Sequence, residues 1–162
     1  KNDEAWYKKG CAQFMLNQFR DALKSYDRSI KINPNNSFTW SAKAEVLDTL
    51  HKYKKALECN EKAIELNPNN YVAWTIKGMS LGSLKKFEEA MKCFDKAIKI
   101  EPEYIKAWKA KLITLRIIGK EEEAHKILRT IICLEVPPLI RSPEDEECIK
   151  KSVEEVRRGY IS

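Results

Sequence analysis

The sequence lacks the features that mark a membrane-spanning, secreted or metal-binding chain. Its longest apolar runs, such as residues 131–134, are far shorter than the roughly 20 residues that a membrane-spanning helix requires. Residues 1–4 carry charges with no apolar stretch behind them, so no secretory signal is expected. The five cysteines are an odd number without a Cys-x-x-Cys spacing, which argues against a disulfide framework and a zinc site. We therefore expect a protein of the reducing cytoplasm that does not enter a membrane.

Catalytic motifs are also missing. Five glycines cannot supply a phosphate-binding loop or a dinucleotide fingerprint, and no Gly-x-Ser-x-Gly is present. The two histidines, His51 and His125, lie in no metal-binding pattern and are expected at the surface. The sequence thus predicts no catalytic, cofactor or metal site and no enzyme. The net charge of +6 comes from 30 basic residues diluted by 24 acidic ones, so nucleic acid is not the expected partner.

What the sequence does contain is a period of 34 residues. All four tryptophans follow it, with a lysine three residues after each and an alanine sixteen residues after each. Prolines recur at the same period. A repeat of this length indicates an array in which neighbouring units bury one another's apolar faces. In chain order the columns are Trp6, Trp40, Trp74 and Trp108; Lys9, Lys43, Lys77 and Lys111; Ala22, Ala56, Ala90 and Ala124; and Pro34, Pro68 and Pro102.

Each repeat has the apolar spacing of two amphipathic helices. In the third repeat Trp74, Gly78 and Leu81 share one helical face, and a second apolar face follows over residues 90–98. Tight turns are predicted near residues 17–18, 51–52, 85–86 and 119–120, and Asn-Pro-Asn-Asn at 33–36 and 67–70 ends the second helix. We expect the tryptophans to be core residues. Close approach of the paired helices is expected where a small residue meets an alanine, at Gly10, Ala44 and Gly78 against Ala22, Ala56 and Ala90.

These columns resemble the tetratricopeptide repeat (TPR), whose signature places tryptophan, a small residue, alanine, an aromatic residue and proline over 34 residues. The resemblance implies an all-α fold: a right-handed α-solenoid of four tetratricopeptide-type helix-turn-helix repeats plus a C-terminal capping helix. The repeats are predicted at 3–36, 37–70, 71–104 and 105–138 within a domain of residues 1–138. Lysine replaces the usual leucine after each tryptophan. The fourth repeat departs furthest, with Leu112 for the small residue and Val136 for proline.

A ninth helix is predicted in the tail, residues 139–162. It should run from Pro143 to about Arg158, because Ser142 is a favourable N-cap and Gly159 a favourable C-cap. We expect this helix to cover the fourth repeat, while docking on a partner is the alternative. Its apolar stripe consists of Ile149, Val153 and Val156.

The resemblance further implies a non-catalytic protein-protein interaction module whose concave groove is lined by the first helix of each repeat. The groove is aromatic and apolar in the first repeat, acidic in the second, small and neutral in the third, and basic in the fourth. It therefore suits an extended or helical peptide with an apolar anchor at one end and acids at the other. The predicted groove residues are Tyr7, Cys11, Phe14, Ser41, Glu45, Asp48, Thr75, Met79, Lys106, Lys109, Ile113 and Arg116, with Met15, Phe38 and Ile117 among the further positions.

The partner's identity is not predicted, but two further expectations follow. Family members that bind chaperone C-terminal tails use lysine, asparagine and arginine at set groove positions, and only Lys106 matches them here. Such tails are therefore expected to be disfavoured. The alternative function is structural, as a segment of a longer solenoid or a self-associating assembly domain.

Overall fold

The computed structural model describes residues 2–159, which form nine α-helices and one short 3-10 helix without any strand. The first eight helices are paired as four antiparallel hairpins, which confirms the predicted all-α solenoid. Lys1 and residues 160–162, which belong to the predicted domain ranges, lie outside the described residues. The helices are α1 (Asp3–Met15), α2 (Phe19–Ile32), α3 (Ser37–Thr49), α4 (Tyr53–Leu66), α5 (Tyr71–Ser83), α6 (Phe87–Ile100), α7 (Ile105–Ile117), α8 (Glu121–Glu135) and α9 (Pro143–Arg158), with the 3-10 helix at Pro138–Ile140.

A left-handed residue ends the first helix of every hairpin, as the predicted turns require. Asn17, His51 and Lys85 have φ of 58°, 57° and 61°, and Gly119 has 78°. In the first turn the Gln18 N–H donates to the carbonyl of residue 13 at 2.8 Å, the bond that closes a Schellman motif. The same bond recurs in the other three hairpins, so one turn geometry sets the angle within every pair.

The Asn-Pro-Asn-Asn segments start the next hairpin as well as ending the previous one. The side chain of Asn36 accepts hydrogen bonds from the N–H groups of Phe38 and Thr39 in the first turn of α3, and that of Asn70 accepts one from the N–H of Ala73 in the first turn of α5. Between hairpins, the indole N–H of each of the last three tryptophans donates to the carbonyl of the preceding loop proline, over 2.7–2.9 Å. The tryptophans are therefore anchored to the loops, and only Trp108 is fully buried.

The close contact within a hairpin differs from the expected glycine–alanine contact. A Cβ atom on Gly10 would lie 2.5 Å from the ring of Tyr26, and one on Gly78 would lie 2.5 Å from the ring of Phe94. The glycine thus makes room for the aromatic residue of the second helix. In the repeats whose second helix lacks the aromatic residue, a larger residue replaces the glycine of the first helix. The two departures from the repeat pattern therefore occur together. The equivalent pairs are Ala44 with Asn60 in the second repeat and Leu112 with Leu128 in the fourth.

The lysine column pairs with acids on the preceding hairpin. Lys43 lies 2.6 Å from Asp27, and Lys111 lies 2.5 Å from Asp95. The intervening pair joins Lys77 to an acid on α4 at 3.2 Å. These contacts give the reason for lysine where the family uses leucine, because each one links a first helix to the second helix before it. We call this series the lysine ladder.

The tail helix α9 confirms the predicted capping helix and its bounds. The Ser142 hydroxyl accepts from the Asp145 N–H while the Asp145 carboxylate accepts from the Ser142 N–H, which forms a capping box, and Gly159 adopts φ 78°. The predicted apolar stripe is buried. Among the described helices, α9 packs on α8 and α6. In the segment just before α9, the side chain of Arg141 pairs with the carboxylate of Glu103 at 2.9 Å.

Candidate peptide-binding groove

The first helices of the four hairpins lie side by side and form one continuous surface. Helix α3 packs between α1 and α5, and α7 packs on α5. The predicted groove residues belong to this layer of first helices. The layer ends at α7 because α9 packs on the other layer.

Aromatic and sulfur-containing side chains occupy the first-repeat end of the groove. Tyr7 and Tyr26 have ring centroids 6.1 Å apart, and the Tyr26 hydroxyl donates to the sulfur of Cys11 at 3.5 Å. Burial and the neighbouring Cys11 raise the pKa of Tyr7 to about 12. Phe14 packs on Phe19 at 5.9 Å between centroids. Tyr26 is fully buried and the other three rings are partly buried, so this end has an apolar floor.

Two predicted groove residues lie beneath the surface. Ser41 is buried, donates to the carbonyl of Phe38 at 3.1 Å and accepts from the side-chain amide of Asn70 at 3.4 Å. Thr75 is also buried and donates to the carbonyl of Tyr71 at 2.8 Å. Both hydroxyls donate to carbonyls of their own helices and both side chains are buried, so they shape the floor without being accessible to a partner.

The acidic and basic parts of the groove meet at its centre. Lys106 on α7 pairs with Glu45 on α3, although α5 is the first helix between them in the layer. Asp48 accepts a hydrogen bond from the Ser80 hydroxyl at 2.5 Å. Burial raises the pKa of Asp48, although the Ser80 hydrogen bond and the Lys106 charge oppose that rise. The centre is therefore a compact charged cluster, not two separate charged ends.

Tyr104 borders this cluster and was not among the predicted groove residues. Its ring meets that of Tyr71 edge-on, with centroids 4.8 Å apart. Burial, followed by the negative charge of Glu45, raises the pKa of Tyr104 to about 12. In the repeat pattern Tyr104 is the last residue before α7, and no column marks it.

The fourth-repeat end combines charge with exposed apolar surface. Lys109 pairs with Glu135 of α8 at 2.8 Å, so its charge is partly compensated. Ile113, Arg116 and Ile117 are exposed on one face of α7. Met79 of the third repeat is half-buried against the neighbouring apolar cluster. This end therefore offers Arg116 between two apolar side chains.

Within residues 2–159, no group of three or more His, Cys, Asp or Glu residues is close enough together to hold a metal ion. Both histidines are exposed there, and His51 lies 2.7 Å from the hydroxyl of Tyr53. None of the helices in the described region combines the length and apolarity needed to cross a bilayer.

The helix pairs pack in series and are linked by the lysine ladder, and the first helices form a continuous layer. This architecture is that of a helical-repeat protein. The tetratricopeptide repeat family model matches residues 3–36, 37–70 and 71–104. The chain therefore belongs to the tetratricopeptide repeat family, whose repeats indicate a scaffold for protein–protein interaction. The fourth hairpin lies outside the matched ranges, in keeping with its departures from the pattern. No curated protein matches the sequence.

Solved structures agree on the fold. The TPR domain of OM64 from Arabidopsis matches with a TM-score of 0.67 and 25% identity, over 70% of this chain and 94% of that one. MamA from Desulfovibrio magneticus matches with a TM-score of 0.70 and 23% identity, over 82% and 75% of the two chains. The first TPR of Spaghetti (RPAP3), bound to the HSP90 peptide SRMEEVD, matches with 0.63 and 21% identity over 81% and 94%.

The last of these structures bears on the expectation about chaperone tails. A TPR of the same fold is bound to an HSP90 peptide in that structure, so the comparisons do not support the expectation that such tails are disfavoured here. At 21% identity the similarity shows the fold alone, and binding by this chain is a matter for experiment.

Proposed function

We propose that the layer of α1, α3, α5 and α7 binds a peptide or helical segment of a partner protein. The observation that carries this proposal is the exposure of large apolar side chains towards both ends of the layer. Met15 and Phe38 are 83% and 49% exposed, and Ile113 and Ile117 are 59% and 63% exposed. Burying one such side chain stabilises a complex by roughly 1.5–3 kcal/mol before the costs of association. Four of them supply enough anchors for a short segment.

The charges of the groove narrow the chemistry of this segment. Glu45 and Lys106 neutralise each other at the centre, and Lys109 is paired with Glu135. Arg116 is exposed between apolar neighbours at the far end. A matching segment has apolar residues near both ends and an acidic residue that faces Arg116. This refines the sequence hypothesis, in which a single apolar anchor was opposed by a run of acids.

A peptide-display selection against the chain tests the proposal. The peptides recovered are measured by isothermal titration against the wild type and against the groove variant Ile113→Glu with Ile117→Glu. We expect affinity at least tenfold lower for the groove variant, because charged side chains cannot fill apolar contacts. The matched control is Ile132→Glu on α8, where the native residue is 56% exposed outside the groove layer, and it should bind like the wild type.

Two results would count against the groove. One is recovery of no peptide above background, and the other is an equal loss of affinity in the Ile132→Glu control. The peptide SRMEEVD is measured in the same titrations, and its affinity decides whether chaperone-type tails are among the ligands. Location in the cytoplasm, and the expectations of no nucleic-acid and no membrane partner, stay predictions, as does the division into domains at residue 138.

Self-association through the ends, the alternative function, is opposed by charge. Arg129 stands on α8 where the preceding second helices carry the ladder acids Asp27, Glu61 and Asp95. The first ladder lysine is Lys9 on α1. Two copies stacked in repeat register would bring Arg129 towards this lysine and would also meet α9, which packs on α8; like charges in such contacts are unfavourable. Light scattering that shows a concentration-dependent oligomer would reverse this preference.

A further inference from the structure

Two cysteines meet where α9 packs on α8. The helices run antiparallel, and the hydroxyl oxygens of Thr130 and Ser152 lie 2.6 Å apart, which defines their register. One turn closer to the connecting loop, this register places Cys133 of α8 opposite Cys148 of α9. The Cys148 thiol and the Asp145 carboxylate, one turn apart on the same face of α9, are close enough to raise the pKa of Cys133. Cys133 therefore lies against the face of α9 that carries Cys148.

The two thiols are within reach of solvent. Cys133 and Cys148 are each only partly buried, and an open groove of about 550 Å³, lined by Cys148, Ser152 and charged residues of both helices, lies beside them. A reagent the size of a tripeptide can therefore approach Cys148. The remaining cysteines lie on other helices: Cys11 on α1, Cys59 on α4 and Cys93 on α6.

We propose that Cys133 and Cys148 are a modification site, a thiol pair that is oxidised reversibly to a disulfide tying α9 to the fourth repeat. Thiols at the same level of two packed antiparallel helices can reach the S–S bond length of roughly 2.05 Å by local side-chain and helix adjustment. The sequence argued against a structural disulfide framework, and a reversible pair is compatible with that argument because the thiols are free in the reduced protein.

The chemistry needs a disulfide oxidant, for which glutathione disulfide is suitable. The Cys148 thiolate attacks one sulfur of glutathione disulfide, so that a mixed disulfide forms and one glutathione thiolate leaves. Cys133 then loses its proton to water and attacks the Cys148 sulfur, which forms the protein disulfide and releases the second glutathione. The two protein thiols lose two electrons in total, and glutathione disulfide gains them.

The environment distinguishes the two steps. Burial, the Cys148 thiol and the Asp145 carboxylate raise the pKa of the Cys133 thiol to about 11, so Cys133 is protonated at neutral pH and is the poorer first nucleophile. Cys148 also lines the open groove through which a reagent approaches, and Cys133 is not among its lining residues. The order of attack follows, with Cys148 first and Cys133 second.

We expect the disulfide to affect the fourth-repeat end of the groove indirectly, through the packing of α9, because neither cysteine is a groove residue. The apolar stripe of α9 belongs to the same apolar cluster as Trp108 and Leu112 of α7, and α7 carries Ile113 and Arg116 on its other face. A bond between residues 133 and 148 closes a short loop and restricts the unfolded tail. Oxidation should therefore hold α9 in place and steady the packing beneath the fourth-repeat end.

The experiment uses the full chain in buffers with set ratios of reduced to oxidised glutathione. Peptide mapping by mass spectrometry without reduction should find residues 133 and 148 linked, and the intact protein lighter by two hydrogens. Hydrogen exchange of the α9 amides should be at least tenfold slower in the oxidised than in the reduced protein. Cys133→Ser and Cys148→Ser should each abolish both effects, whereas the control Cys11→Ser should retain them.

Three outcomes would overturn the proposal. In the first, glutathione stays attached to Cys148 and Cys133 remains a free thiol. In the second, Cys133 or Cys148 is linked to one of the other three cysteines. In the third, residues 133 and 148 are linked but hydrogen exchange of the α9 amides is unchanged. Mapping of the wild-type protein distinguishes the first two without any variant, so a folding defect in a serine variant does not affect the result.

Discussion

Two glycines on one helix provide a sharp test of how the hairpins pack. Gly78 and Gly82 lie four residues apart on α5, so each loses the same backbone freedom when the helix forms. Their surroundings differ. A Cβ on Gly78 would lie 2.5 Å from the Phe94 ring, whereas one on Gly82 would find its nearest atom, the Thr114 hydroxyl, at 3.9 Å. The substitution to alanine therefore isolates the effect of the contact with Phe94.

The magnitudes follow from two opposing terms. Replacing a helical glycine with alanine stabilises the helix by roughly 0.5–1 kcal/mol. At Gly78 the added carbon also forces the Phe94 ring to move, and because that ring is fully buried, the strain costs about 1–3 kcal/mol. Gly78→Ala should thus lower the free energy of unfolding by about 1–2 kcal/mol, and Gly82→Ala should raise it by about 0.5 kcal/mol.

Urea denaturation followed by circular dichroism measures both variants, with the slope of the transition checked for constancy. Adding Phe94→Leu to Gly78→Ala should recover part of the loss, because the smaller side chain leaves room for the new methyl group. The two substitutions should therefore couple by at least about 0.5 kcal/mol. A Gly78→Ala protein as stable as Gly82→Ala would refute the argument that glycine is required opposite an aromatic residue.

Three further predictions concern stability and are measured by thermal or urea unfolding. Asn60→Leu should stabilise the chain by about 1–2 kcal/mol, because the buried Asn60 amide finds no hydrogen-bond partner within residues 2–159; a lower midpoint would contradict this. Asp95→Asn should cost about 2–3 kcal/mol by removing the carboxylate charge of the ion pair with the buried Lys111, whereas Glu61→Gln, at a more exposed rung, should cost under about 0.5 kcal/mol. Equal losses would contradict the difference in burial. Gly119→Ala should cost about 1 kcal/mol and Lys85→Gly should gain about 0.5 kcal/mol, since both turns require positive φ. The opposite signs would contradict the argument that positive φ favours glycine in these turns.

Features that depend on neighbours in the sequence could be predicted well. The helix pairs, the turns and the bounds of α9 all follow from apolar spacing, N-cap and C-cap residues and prolines within a few positions. The coupling of Gly10 with Tyr26 and of Ala44 with Asn60 was also present in the repeat columns. It could have been found by comparing the departures in pairs, because the two residues must share a limited volume.

The groove could be predicted only as a set of positions. Periodicity assigned Ser41 and Thr75 to the same surface as Ile113, but the stacking of the next first helix buries the first two and leaves the third exposed. The charged centre was missed for a similar reason. Glu45 and Lys106 are separated by 61 residues, and their contact depends on how far the array curves over α5.

By itself, then, the amino-acid order determined a chain of helix hairpins with a capped end, since each of those features arises from forces acting over one or two helical turns. Tertiary structure alone decided which groove side chains meet solvent, that α9 lies against α6 and α8, and that Cys133 meets Cys148. Those outcomes depend on the small rotation between successive hairpins. Many packing contacts together set this rotation, and no short stretch of the sequence encodes it.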